Sequence, residues 1–423
     1  MSLSSTEKAI LGVNLAEWEN EFGSFATEHG LLPRTPTTES ARTEGAILDD
    51  KLQRLLDTKF EAELAQEQNP DAVFSWKNPF ALLNEAEFKR HVAISFERDG
   101  QQFLNGTNEV EVAPPASHRE AAVDWSTRCN PPVREQGECL SCWAHAAVGV
   151  AEAAHCIATG NLLSLSVQQV TSCSTKGGSA GCNTGFPSYA IDYAAEGLCM
   201  DSAWPYRGQT GTCNNQCTKQ RLAIGASTHT SGESGLMNAL NKQPVVVTVA
   251  SANSVWKNYV GGVVSACPAA RSDHAAIAVG YDGQSYKIKN SWGTRWGDGG
   301  YIYLRANAGG RGTCNVAEDV SFPKLGASPD QPNQPNHPNQ PNEPNQPNQP
   351  NQPNHPNQPN HPNQPNQPNH PNRPNHPKQP NRPNQPNHPN QPNQQNQPNR
   401  PNHPNQPNQP NHPNQPNQPN HPY

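Results

Sequence analysis

Cys142 opens a stretch whose residue types could carry out nucleophilic chemistry. Gln136-Gly137-Glu138-Cys139-Leu140-Ser141-Cys142-Trp143-Ala144-His145 runs into Ala146 to His155, where alanine and other good helix formers dominate, and Gly160 supplies a stop. A thiol at a helix N-terminus meets unpaired N–H groups and the positive end of the macrodipole, which favour its thiolate. In a chain with eleven cysteines, a lone Cys reads first as a disulfide partner. Two later residues outweigh that reading. His274 lies 132 residues downstream in Asp273-His274-Ala275, and Asn290 lies 148 residues downstream in Lys289-Asn290-Ser291-Trp292-Gly293. A thiolate nucleophile needs an imidazole to form an ion pair with it and to protonate the leaving amine, and a third group to orient that imidazole. His145 and His155 sit on the Cys142 helix itself with no orienting Asn after them, so they read as structural.

With these motifs and spacings, the stretch from about Val123 to Pro323 resembles the papain-like cysteine peptidases. The resemblance implies an α+β fold of two lobes, one helical and one β-barrel-like, with Cys142 on the first and His274 and Asn290 on the second. It implies that Cys142 attacks the scissile carbonyl, His274 is base and acid, and Asn290 holds the imidazole tautomer beneath Trp292. The oxyanion would be met by the Cys142 N–H and the Gln136 side-chain amide. Three disulfides carry over by position: Cys139–Cys182, Cys173–Cys213 and Cys267–Cys314. Cys129–Cys156 resembles a further pair in cathepsin B, which leaves Cys199 with Cys217. Zinc is the other use for cysteines, but Cys213-Asn214-Asn215-Gln216-Cys217 is a poor ligand set. No metal or other cofactor is expected.

The departures from the family pattern concern the substrate subsites. Leu140 replaces the usual Gly before Ser-Cys, and Cys182-Asn183-Thr184-Gly185 replaces Cys-Asn-Gly-Gly. Both positions gain bulk at S1, while Gly185 is left to pair with substrate backbone, so a preference for small P1 residues is expected. If Leu140 needed a positive φ it would be strained, and catalysis would weaken. The rival reading is therefore an impaired homologue that binds peptides or acts as a decoy. Phe186, Pro187 and Ala275 match an apolar S2 wall, and Asp273 borders the site. Asp319 falls where cathepsin B carries an acid that accepts P2 Arg. No insertion resembles an occluding loop between Cys182 and Trp204, so endopeptidase action is expected.

The elements that must position these residues fall into two halves. The first is helical. Ser166-Val167-Gln168-Gln169 has capping-box spacing, and Pro187 suits the first position of a helix ending at Gly197. The second has strand patterns at Val245–Ala250, Ala275–Tyr281, Ser285–Lys289 and Tyr301–Leu304.

Residues 1–118 precede this peptidase-like region, taken as 119–326. They carry 20 Asp and Glu against 10 Lys and Arg. Leu15, Trp18, Phe22 and Phe25 recur at helical spacing, as do Leu48, Leu52, Leu55 and Leu56. With Asn78-Pro79-Phe80-Ala81 and Glu87-Phe88, the region resembles the inhibitory propeptide of the same peptidases, although the Glu/Arg/Asn-spaced helix pattern does not appear in residues 47–68. Its acidity suggests release on acidification, and Val112 to His118 reads as an exposed cleavage region. Residues 327–423 repeat Pro-Asn-X, with X mostly Gln or His. Such a tail cannot bury a core and leans to polyproline II. It reads as slack repeat, stalk, wall or matrix tether, or ligand for proline-reading domains.

All cysteines lie between Cys129 and Cys314, a density that suggests an oxidising compartment, extracellular or lysosomal/vacuolar. No leader follows Met1, so a start further upstream is expected; Asn105-Gly106-Thr107 is a sequon that fits secretion. No basic stripe, nucleotide loop or membrane span appears, which leaves peptides and the chain's own propeptide as partners of a monomer.

Overall fold

The computed structural model describes residues 3–34, 43–92, 122–214 and 217–326. The tail 327–423, the 112–118 linker and the Asn105 sequon lie outside the described residues.

The centre of the helical part is α4, Cys142–Thr159, in which every residue from Cys142 to Cys156 is buried. A helix apolar on all sides must sit inside a core, and its few polar side chains are each given partners. Glu152 takes both guanidinium nitrogens of Arg134, at 2.7 and 3.0 Å, and His155 Nδ1 accepts from Ala223 N–H at 3.0 Å. Gly160 ends the helix at φ 76°, a left-handed conformation that suits glycine. Flanking α4 are α5 (Val167–Cys173) and α6 (Pro187–Ala195), the latter with proline in its first turn. The capping box expected at Ser166 is only half made. Ser166 Oγ accepts from Gln169 N–H, but the Gln169 side chain turns away to Cys199 N–H and the Tyr193 hydroxyl.

Nine strands lie among the described residues, and all but the first form the other part. They are β1 (Ala72–Phe74), β2 (Val123–Asp124), β3 (Ile224–Thr230), β4 (Val245–Val249), β5 (Tyr259–Val264), β6 (His274–Tyr281), β7 (Ser285–Lys289), β8 (Tyr301–Arg305) and β9 (Val320–Leu325). The order is β1-β5-β8-β7-β6-β4-β9-β3, with β2 against β6. All pairings are antiparallel except β5 with β8. Every residue of β4 and β6 is buried, as befits strands covered on both faces. Gly149 lets α4 lie against β6, because a Cβ there would come within 2.5 Å of Ile277 Cδ1.

The N-terminal region packs on this body. It contributes α1 (Ser5–Glu28), α2 (Glu44–Gln68) and α3 (Glu85–Val92) as well as β1. Leu11, Leu15, Trp18 and Phe22 bury one face of α1, and Leu52 and Leu55 one face of α2, whereas Leu48 is 48% exposed. The Glu/Arg/Asn-spaced pattern not found in residues 47–68 has a charged counterpart there. Asp50 and Arg54, one turn apart on α2, pair with each other, and Arg54 also binds Glu87 on α3. Towards the peptidase part, Asn69 Oδ1 accepts from the N–H groups of Ser265 and Ala266. Lys257 on α7 (Ser254–Asn258) donates to Glu61 at 2.8 Å, and Asn258 meets both Glu61 and Asn78.

Disulfides join Cys129–Cys156, Cys139–Cys182, Cys173–Cys213, Cys199–Cys217 and Cys267–Cys314, leaving Cys142 as a free, buried thiol.

Candidate active site

Two elements of opposite type bring the chemistry together. Cys142 is the first residue of α4, and His274 is the first residue of β6. Asn290 follows β7, the antiparallel neighbour of β6. His274 Nε2 lies 2.7 Å from Asn290 Oδ1. The oxygen of that amide is identified independently, because it also accepts Ser291 N–H at 2.8 Å and a backbone N–H can only donate. Nε2 therefore carries the proton and Nδ1 is bare. Trp292 lies over the pair, its ring centroid 4.9 Å from that of His274, and Trp256 closes another side at 6.2 Å. Cys142, His274 and Trp292 are all buried.

Burial pushes the Cys142 thiol up to about 12, against the lowering effect of the Ala275 and Trp143 N–H groups within reach of the sulfur. Burial also pulls His274 down to about 4, which its bond to Asn290 opposes. In this covered state both groups are held neutral.

The covering side chains come from the N-terminal region. Phe80 and Phe88 meet Trp292 edge-on, at 5.5 and 5.8 Å. Phe25 lies under the Arg295 guanidinium, and Arg295 donates to the Glu21 carbonyl.

Gln136 is fully buried beside the loop that leads to Cys142. Its Nε2 donates to the Cys139 carbonyl at 3.3 Å, and its Oε1 accepts from Ser291 Oγ at 2.7 Å. Ser291 was not singled out from the sequence. A hydroxyl next to Asn290 carries no signal until the fold sets it against Gln136, 155 residues away. Tyr206 is a second such residue, its hydroxyl bridging the Gln136 carbonyl and Ser141 Oγ.

At the subsite positions, Leu140 is half-buried, and its N–H donates to the Cys182 carbonyl. The expected strain there is absent. The positive-φ residues other than glycine among the described residues are Cys129, Asn307, Cys314 and Asn315. Leucine therefore stands at position 140 without backbone penalty. Thr184 is half-buried and its carbonyl accepts from Ala180 N–H. Gly185 lies on the Trp143 indole so closely that a Cβ would fall 2.1 Å from it. Phe186 and Pro187 are buried at the start of α6, and Ala275 follows His274. The Asp273 carboxylate accepts from Ser251 and Ala252 N–H, so it holds the loop after β4. Burial raises its pKa. Asp319 lies 3.3 Å from His229 Nδ1 on β3, so this carboxylate already faces a basic ring.

Among the described residues, no group of His, Cys, Asp and Glu could hold a metal ion, and no helix is long and apolar enough to cross a membrane.

Residues 120–324 match the model of the papain family cysteine proteases. Papaya proteinase 4 of Carica papaya is 34% identical over 294 residues, spanning 65% of this chain and 82% of its own. Germination-specific cysteine protease 1 of Arabidopsis thaliana is 34% identical over 353 residues, spanning 76% and 92%. Among solved structures, the proform of the Amb a 11 cysteine protease, a ragweed pollen allergen, superposes with a TM-score of 0.62 at 25% identity, covering 77% of this chain and 99% of that one. The chain belongs to the papain family of cysteine proteases, and its N-terminal helices are those of a proform.

Proposed function

We propose that this cysteine endopeptidase zymogen works through Cys142, His274 and Asn290 by way of an acyl-enzyme. The observation that carries the reading is the 2.7 Å bond from His274 to Asn290. It leaves Nδ1 of His274 as the bare nitrogen, with no other hydrogen-bond partner in the described protein. Once the prosegment leaves, water re-enters, and the desolvation that holds both groups neutral is relieved. The thiol proton then moves to Nδ1. The thiolate attacks the scissile carbonyl carbon, an S–C bond forms, and the carbonyl π pair moves onto oxygen. The Cys142 N–H and Gln136 Nε2–H receive that oxyanion. Collapse breaks the C–N bond, and His274 gives its proton to the leaving amine. Water, deprotonated by the same imidazole, then hydrolyses the thioester and restores the thiol.

Leu140 and Thr184 narrow S1 in this reading and favour small P1 residues. Phe186, Pro187 and Ala275 line an apolar S2. Five disulfides in one domain suit an oxidising compartment, which supports a location in the secretory pathway, outside the cell or in a lysosome or vacuole. Covalent labelling by an epoxysuccinyl thiol inhibitor after acid activation tests the assignment, beside Cys142→Ala. Stoichiometric labelling at Cys142 with parallel loss of peptide hydrolysis is expected. A processed, folded enzyme that hydrolyses peptides with Cys142 replaced would sink it.

A further inference from the structure

One turn beyond Cys142, α4 carries a second buried imidazole, His145. Its protonation can be derived from its neighbours. Nδ1 is 3.0 Å from the Ser141 carbonyl, which can only accept. Ser141 Oγ, 3.3 Å from the same nitrogen, has its own proton committed elsewhere. The Tyr206 hydroxyl donates to the Gln136 carbonyl at 2.8 Å, so the Ser141 proton closes the 2.6 Å contact to Tyr206. Nδ1 is therefore the protonated nitrogen, and Nε2 is a bare acceptor. Burial keeps the ring neutral, pulling its pKa down to about 3 against the raising effect of the Ser141 carbonyl, and the Arg134 charge acts with burial.

That bare Nε2 is buried and has no hydrogen-bond partner in the described protein. The Asn290 amide nitrogen is in the same condition. It is a donor, since the other amide atom is the oxygen that faces His274 and Ser291 N–H. Both residues line one narrow cavity of about 20 Å³, together with Lys289, Ser291, Ala275 and Gly149. That volume suffices for one water molecule, which needs polar partners to be held. An orphan donor and an orphan acceptor supply them. Lys289, whose ammonium already donates to Asn130 and to the Pro131 carbonyl, has one further N–H.

We propose that His145 is a positioning residue for catalysis: a single water in this cavity accepts from Asn290 Nδ2–H and donates to His145 Nε2, locking the amide with its oxygen towards His274. An amide flipped by half a turn would present N–H to the N–H of His274, and the imidazolium would lose its acceptor. The water link opposes that flip. His145 thus acts on the reacting atoms through Asn290 and touches no substrate.

The inference rests on the reading of Cys142, His274 and Asn290 as the catalytic set, which the Cys142 labelling tests separately. The discriminating variant is His145→Phe in the acid-processed full-length enzyme, compared with His145→Gln, which keeps an acceptor. The other charged groups at the cavity, Arg134 with its partner Glu152 and Lys289, are unchanged in both. The Phe variant is expected to lose about 3- to 10-fold in kcat with KM unchanged, and the alkaline limb of its kcat/KM profile should move to lower pH as the imidazolium is less well held. The Gln variant should keep most of the kcat and the wild-type limb. In an Asn290→Ala background, the Phe change should add nothing further. A Phe variant with wild-type kcat and an unmoved limb overturns the proposal. If that variant does not fold, a high-resolution structure of the wild-type chain decides. A water within hydrogen-bond distance of both His145 Nε2 and Asn290 Nδ2 supports the link, and no such bridging water overturns it.

Discussion

Lys257 of the peptidase part donates to Glu61 of the prosegment at 2.8 Å, with the lysine side chain only 3% exposed. Burial lowers its pKa, and Glu61 raises it again. Removing one partner of such a pair leaves a buried charge uncompensated. Glu61 is itself 29% exposed, so the loss sits at the low end, about 2 kcal/mol. The variant Glu61→Gln should therefore hold its prosegment about 30-fold more weakly. The fraction of unprocessed zymogen labelled by a thiol inhibitor at neutral pH measures this, and labelling equal to wild type would contradict it.

For the acid release expected from the sequence, the structure offers a titrating group in His91, buried on α3 against Phe80. Desolvation, with His29 nearby, pulls it down to about 4, against about 6.5 for a free histidine. Between these values the detached prosegment binds more protons than the docked one. Docking is therefore favoured fully above about pH 6.5, and this contribution, at most about 3 kcal/mol, is lost as pH falls towards 4. Replacing His91 with Leu should shift the midpoint of self-processing to lower pH. A pH series of processing, followed by gel, would show an unmoved midpoint if His91 plays no part.

Ser291 gives its hydroxyl proton to Gln136 Oε1, and in the proposed mechanism this bond orients the oxyanion donor. Without it the amide can rotate away from the oxyanion. The change Ser291→Ala should lower kcat by about 10-fold and leave KM alone, less than the 100-fold or more that follows loss of an oxyanion donor itself. Steady-state kinetics on one fluorogenic peptide separates the two constants; a rise in KM at constant kcat would assign Ser291 to binding instead.

Leu140 reaches its conformation without a positive φ, so glycine there should cost no more than about 1 kcal/mol of stability. The Leu140→Gly enzyme should cleave after Arg or Phe about 10-fold better than wild type, with cleavage after Ala little changed. A P1 library on both proteins reads this directly. Equal profiles would show that Leu140 does not wall S1.

The residues that could be read from the sequence were those whose meaning travels in a local motif. Cys142 stands at a helix start, and His274 and Asn290 sit in short motifs at fixed distances from it. Helix α4 and strands β4, β6, β7 and β8 announce themselves through alanine content or β-branched runs. Ser291 and Tyr206 do not, because their hydroxyls gain meaning only when the fold folds back on Gln136. Arg54 carries no local sign of its partner either, because Glu87 lies on another helix. Leu140 misled in the opposite direction. Strain would follow only from a positive φ there, and the Cys139–Cys182 bridge and the Leu140 N–H to Cys182 carbonyl bond hold the chain in a conformation open to any residue. The sides of His145 and Asn290 that face the shared cavity were invisible for the same reason: one is on a helix and the other past a strand end, and nothing local joins them.

Strand β1 belongs to the prosegment, yet it completes the sheet by pairing with β5, Ala72 opposite Gly262. Gly262 must be glycine there, since its φ is 72° and a Cβ would strike the Asp71 carbonyl. When processing removes β1, the outer hydrogen-bonding groups of β5 lose their partners and become an open edge. Such an edge can template foreign strands. Maturation thus uncovers two things at once, a cleft that needs substrates and a border prone to self-association. The twin glycines Gly261 and Gly262, which pack poorly as strand, are what makes that border a weak template.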